Sequence, residues 1–234
     1  MPAFTTDEIK AGQVFLIDKP LTWTSFAVVN KLRYALKKTY GFKKLKVGHA
    51  GTLDPLATGL LIICAGNATK SINQYMGQHK IYTGQLKLGA TTPSYDLETE
   101  EDNIYPTDHI TPELLEEKLR QFQGDIQQIP PVFSAIKKDG VKSYEAARLG
   151  IDIEMEARPV HIHYFKITAV KMPFVNFEVK CSKGTYIRSL AHDFGQALNS
   201  GSHLTALRRI AIGDFSVENA SGPLEFTDSL QIKA

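Results

Sequence analysis

Lys46-Val-Gly-His-Ala-Gly-Thr-Leu-Asp-Pro-Leu-Ala-Thr-Gly-Leu-Leu61 is the stretch on which the reading of this 234-residue chain turns. Gly48 and Gly51 precede a lone carboxylate, Asp54, and Pro55 follows it. An uninterrupted apolar run, Leu60 to Ala65, comes next. Glycine tolerates backbone conformations closed to other residues, so the pattern reads as a tight, rigid connection delivering one acid beside a buried strand or helix. The plainer reading is a turn, because Asp-Pro is common turn chemistry and an aspartate readily bonds its own backbone. Spacing alone favours the turn.

Composition is that of an ordinary globular chain, 43% hydrophobic and 22% charged, long enough for one large domain or two small ones. Its longest apolar run falls far short of the ~20 residues needed to span a bilayer, so no membrane association is expected. The N-terminal residues show neither a basic nor an apolar signal region. With only Cys64 and Cys181, the chain reads as a cytoplasmic protein with reduced thiols. Net charge is only +2, but it is unevenly placed. Between Lys19 and Leu53 there are eight Lys or Arg and no acid; between Ser94 and Glu117 there are nine acids and no Lys or Arg. A basic lobe leading into Asp54 suits a polyanion such as RNA, although a lysine-rich surface is often only a solvated one.

Val14 to Ile17 reads as a buried strand stopped at Pro20. Ser25 is placed to cap a helix with Phe26, Val29, Leu32 and Leu36 at helical spacing. Gly66 to Ser71 has lysine and serine together but lacks the glycine spacing of a phosphate loop, so nucleoside triphosphate binding is rejected. Lys80 to Gly89 alternates as a strand, with Tyr82, Leu86 and Leu88 on one side. Thr111 and Pro112 open a helix striped by Leu115, Leu119 and Phe122, with Gly124 past its end. Val160 to Val170 and Phe174 to Cys181 form a hairpin. His161 and His163 share one face of it, but no third ligand at recognisable spacing accompanies them, so no metal is expected. Ile187, Leu190, Ala191, Phe194 and Leu198 mark the inward face of a later helix.

His49-Ala-Gly-Thr-Leu-Asp54-Pro-Leu-Ala-Thr-Gly59 resembles the catalytic motif of the bacterial tRNA pseudouridine synthases of the TruB type, roughly Gly-His-x-Gly-x-Leu-Asp-Pro-x-Ala-x-Gly, with every fixed position present. Further blocks are similar to the same family: Leu16-Ile-Asp-Lys-Pro20, Lys80-Ile-Tyr82, the Pro-Pro and Ser-Ala region from Ile129, Ser182-Lys-Gly-Thr-Tyr-Ile-Arg188, and Leu207-Arg-Arg209. The likeness covers most of residues 13 to 210. It implies an α/β chain of the pseudouridine synthase fold, with a central mixed, largely antiparallel sheet flanked by helices. A mobile RNA-clasping insertion at about 129–158 is implied as well. Many bacterial members continue into a small RNA-binding module of the PUA type, and the residues after Ile210 are too few to form a complete one.

The resemblance makes Asp54 the catalytic nucleophile and Arg188 its ion-pair partner. Tyr82 would stack on the flipped uracil, Tyr186 contact the base, Leu207 line its pocket, and His49 fill the space the nucleotide leaves. Lys19 is read as structural, or as an RNA phosphate contact at best, and Lys137, Lys138 and Lys142 as phosphate contacts. An unperturbed aspartate titrates near ~3.9 and is ionised at neutral pH. Isomerising uridine to pseudouridine adds and removes no atoms and changes no oxidation state, so no cofactor is expected. A single carboxylate also argues against ordinary glycoside hydrolysis, which uses two. The implied substrate is uridine 55 in the T arm of tRNA, with no protein partner required. Two rival readings are a tRNA-folding chaperone with secondary modification activity and a guide-RNA-dependent relative.

Overall fold

The computed structural model describes residues 3–134, 136–138, 141–143, 149, 151 and 154–232. The chain is α/β, with a mixed, largely antiparallel sheet and helices, as expected. Two compact units are present: Met1–Tyr82 with Leu207–Ala234, and Thr83–Ala206.

In the first unit the apolar run resolves as a strand, Ala57–Ala65. Successive strand side chains point to opposite faces. Leu61, Ile63 and Ala65 therefore join one buried cluster, with Val28, Val29, Leu32 and Leu36 of the helix Ser25–Tyr40. Leu60, Ile62 and Cys64 join another, with Ala50 and Ile212. Burial on both faces explains why the sequence shows a continuous run rather than an alternation. One edge of this strand pairs antiparallel with Gln13–Lys19, register Lys19 to Gly59. On its other edge Val47–His49 pairs antiparallel, with His49 opposite Ile63, and Leu207–Arg209 pairs parallel, with Leu207 opposite Ala57.

Two sequence expectations about the helix are corrected. Thr24, not Ser25, is its N-cap, accepting a hydrogen bond from the Ala27 N–H. Ser25 is buried and its hydroxyl is used elsewhere (below). Phe26 is 62% exposed, while Val28 takes the inward position.

Gly59 has φ +103°, and an added Cβ would lie 2.2 Å from the Arg209 carbonyl oxygen. Positive φ is strained for other residues, and a backbone atom has little room to yield. Gly59→Ala is expected to cost roughly 2–3 kcal/mol, read as a lower midpoint in urea at unchanged slope. An unchanged midpoint would mean that the two strands separate at no cost.

In the second unit the expected hairpin is present as Arg158–Lys171 and Phe174–Cys181, and Gly124–Gln128 pairs antiparallel with Arg158–Ile162. The helix Pro112–Leu119 is capped by Thr111, as expected, and buries Leu115 and Leu119. The helix Ile187–Ala197 buries Ile187, Leu190, Ala191 and Phe194. Phe194 meets both Phe122 and Phe165 edge-on. Of the expected insertion, Lys137–Lys138 and Val141–Lys142 form a small antiparallel pair. Residues 135, 139–140, 144–148, 150 and 152–153 lie outside the described residues, as do the side chains of Lys137, Lys138 and Lys142, so their expected phosphate contacts lie outside it too.

Candidate active site

The segment Gly51–Ala57, which carries Asp54, lies wholly in the first unit and is pinned through its main chain. Ser25 Oγ accepts from the Leu53 N–H at 2.8 Å and donates to the Leu53 carbonyl at 3.0 Å. The Pro55 carbonyl accepts from the Thr22 N–H at 2.8 Å, and the Asp54 carbonyl from the Ala57 N–H at 3.1 Å. Asp54 itself is half-buried. The fixed connection expected from the glycines and proline is therefore real, and much of its fixing comes from residues distant in sequence.

Two buried cations flank this segment. Lys19 is fully buried, and its ammonium donates to the carbonyls of Trp23 (2.7 Å), Pro20 (3.0 Å) and Pro55 (3.4 Å). Of the two readings given to Lys19, structural or RNA phosphate contact, this burial favours the structural one: the ammonium is engaged by main-chain carbonyls, that of Pro55 beside Asp54 among them. Burial lowers the Lys19 pKa from 10.5 to about 8; the Asp54 charge works against that shift and the Arg209 charge adds to it. Arg209, 1% exposed, donates to the carbonyls of Leu60 (2.8 Å), Gly51 (3.0 Å) and Thr52 (3.5 Å). Arg209 was not singled out from the sequence. The available signal was the doubled arginine in an alternating strand, which places one guanidinium on each face. Arg208 takes the other, meeting Asp18 at 3.0 and 2.6 Å.

His49 is half-buried, and its pKa lies below the usual 6.5, first through burial, then through the Arg209 charge, with a Gly51 backbone contact opposing. A neutral imidazole at pH 7 follows. Leu207 stands half-buried opposite Ala57, three residues from Asp54. Tyr82, on the strand Lys80–Leu88, is 8% exposed. The first unit thus holds Asp54, His49, Leu207, Tyr82 and the two buried cations.

The second unit holds Tyr186 and Arg188. Arg188 is 4% exposed. Its guanidinium donates to the carbonyls of Phe133 (2.8 Å) and Ser94 (3.1 Å) and stands 3.7 Å from the Asp96 carboxylate. Tyr186 is held by a two-way exchange with the Gln128 side-chain amide, at 2.8 and 3.0 Å, and the Arg158 guanidinium covers its ring at 4.6 Å. His161 Nδ1 lies 2.7 Å from Asp125, and among the described residues no group of three or more His, Cys, Asp or Glu is arranged to hold a metal.

One turn along from Arg188, burial pushes the Asp193 carboxyl from 3.8 up to about 6. A raised folded-state pKa contributes stability that is complete below pH 3.8 and lost as pH rises through 6. At pH 7 the charged form therefore costs stability. Asp193→Asn is expected to stabilise the fold at pH 7 by about 1–3 kcal/mol and to flatten the melting temperature between pH 4 and 7. Equal melting temperatures for variant and wild type across that range would contradict it.

Comparison with known proteins places these features in a family. The family model described as "TruB family pseudouridylate synthase (N terminal domain)" matches residues 37–187. A protein of Flavobacterium johnsoniae named "tRNA pseudouridine synthase B" is 60% identical over 97% of this chain and 100% of its own length. One of the same name from Phocaeicola vulgatus is 54% identical over 94% of each chain. Among solved structures, a chain of a complex titled Cbf5-Nop10-Gar1 superposes with TM-score 0.67 at 27% identity; 92% of this chain is covered, spanning 54% of the other. No helix among the described residues is long and apolar enough to cross a membrane. The motif around Asp54, the fold that carries it and the identity to named relatives agree, and the chain belongs to the TruB family of pseudouridylate synthases.

Proposed function

We propose that this chain converts uridine 55 in the T arm of tRNA to pseudouridine in the cytoplasm, with Asp54 as nucleophile and without a protein partner or cofactor. The observation that carries the reading is Asp54 itself, borne on a segment whose backbone is held by Ser25, Lys19 and Arg209. High identity to proteins named tRNA pseudouridine synthase B supports tRNA as substrate. In the reaction the uracil N1–C1′ bond breaks, the base turns, and a C5–C1′ bond forms. The C5 proton leaves and N1 takes one up, so the atoms balance.

A stacked uridine hides its glycosidic bond, and extruding it costs a few kcal/mol. Stacking on Tyr82 returns about 1–3 kcal/mol of that. In the first unit Leu207 is assigned a wall beside the base and neutral His49 the space left in the RNA; in the second, Tyr186 is assigned a contact to the base and Arg188 a positioning role. Lys137, Lys138 and Lys142, on the proposed insertion 129–158, are assigned phosphates.

The test is the purified chain with an unmodified tRNA transcript and no guide RNA. Carbodiimide treatment followed by primer extension should give a stop at position 55. No stop anywhere would defeat the reading, and a stop that requires added guide RNA would favour the guide-dependent alternative.

A further inference from the structure

The first unit carries a groove of about 570 Å³ away from the Asp54 carboxylate. Five cations line it, Arg33, Lys37, Lys43, Lys44 and Lys46, and none of its lining residues is acidic. Arg33 is fixed, donating to the Asn30 side chain and to the Val47 carbonyl, each at 3.0 Å. Lys43, Lys44 and Lys46 are exposed. Val47 and Gly48 contribute to the lining, and they belong to the three-residue strand that ends at His49. Val47 and Gly48 pair with Ala65 and Cys64, at the end of the strand Ala57–Ala65 remote from Asp54, so the groove lies most of a strand length, roughly 20 Å, from the carboxylate.

Five like charges in one concavity repel one another and raise the local positive potential. A single small anion would engage only one or two of them. A chain of phosphates engages them all, and each contact releases condensed counterions. We propose that this groove holds sugar–phosphate backbone of the bound tRNA several nucleotides away from the flipped one. The inference rests on the tRNA reading above and adds a phosphate track outside the expected insertion.

The test compares the full chain with the triple variant Lys43→Gln, Lys44→Gln, Lys46→Gln in tRNA binding across a salt series. A second triple variant, Lys118→Gln, Lys166→Gln, Lys171→Gln, has the same net charge and serves as control. Each lost phosphate contact lowers the salt slope by about 0.7–0.9, so the groove variant should lose about 2–3 in slope and roughly 10- to 100-fold in affinity at 0.1 M salt. The control should move the slope by less than about one. Arginine at the three groove positions should restore the wild-type slope. Equal slopes for groove variant and control overturn the proposal, as does weaker binding at an unchanged slope, which would report a damaged fold. A wild-type chain that neither binds nor modifies tRNA instead sinks the underlying reading, a result visible before any variant is made.

Discussion

Asp54→Asn is expected to reduce pseudouridine formation by at least ~10⁴-fold while leaving tRNA affinity within a few-fold of wild type. The asymmetry follows from how the segment is held. Ser25, Thr22, Lys19 and Arg209 all bind its main-chain atoms, so an amide of the same shape leaves the loop where it is. What is lost is the charge to which the proposal gives the nucleophilic role. A second readout needs no substrate. The Asp54 charge raises the Lys19 pKa against burial, so the variant's ammonium should fall further below its present value of about 8. A lysine with a depressed folded pKa weakens the fold below that pKa, and the penalty fades as pH rises toward the unfolded value. Any stability deficit of the variant that arises from Lys19 should thus be largest near pH 7 and vanish by about pH 10.5. Retention of more than about a hundredth of the wild-type rate by a variant that still binds tRNA would exclude Asp54 as nucleophile.

The local pattern revealed the segment itself but little of what surrounds it. Gly51, Asp54, Pro55 and Gly59 are neighbours in sequence, and their conformational preferences act at short range. The run Leu60 to Ala65 was ambiguous between strand and helix because only tertiary context gives it two buried faces. Thr24 and Ser25 are both good capping residues, and adjacency hid which one caps; the choice is made by Leu53, whose N–H and carbonyl claim the Ser25 hydroxyl. Lys19 was read as structural or as a phosphate contact, and its sequence neighbours could not decide between the two. Its burial depends on three carbonyls, one of them 36 residues away. Arg209 is the extreme case, since its acceptors lie 149 to 158 residues earlier and no local window contains both ends. The segment that carries Asp54 was thus legible through its motif. The buried cations that place the motif were not, because long side chains choose partners through the fold.

Arg209→Met is expected to lower the rate of pseudouridine formation by roughly 100-fold, the size of effect that a 1 Å misplacement of a reacting group produces. It should also cost about 2–4 kcal/mol of stability, because buried carbonyls at Gly51 and Leu60 lose their donor while methionine fills most of the volume. Loss of activity through a loosened fold alone would give the same rate, so charge and position must be separated. The Arg209 charge helps to hold the His49 pKa below 6.5, whereas burial, the larger cause, remains in the variant. In Arg209→Met the His49 imidazole should therefore titrate higher than in wild type, though still short of 6.5, as followed by its ring-proton resonances. Arg209→Lys keeps the charge but not the planar fork that reaches several carbonyls at once. It should leave the His49 titration near wild type and still lose most of the rate. Should the lysine variant recover full activity, a nearby positive charge would be all that the site needs, and the role assigned to Arg209 in holding Gly51 and Thr52 in register would be wrong.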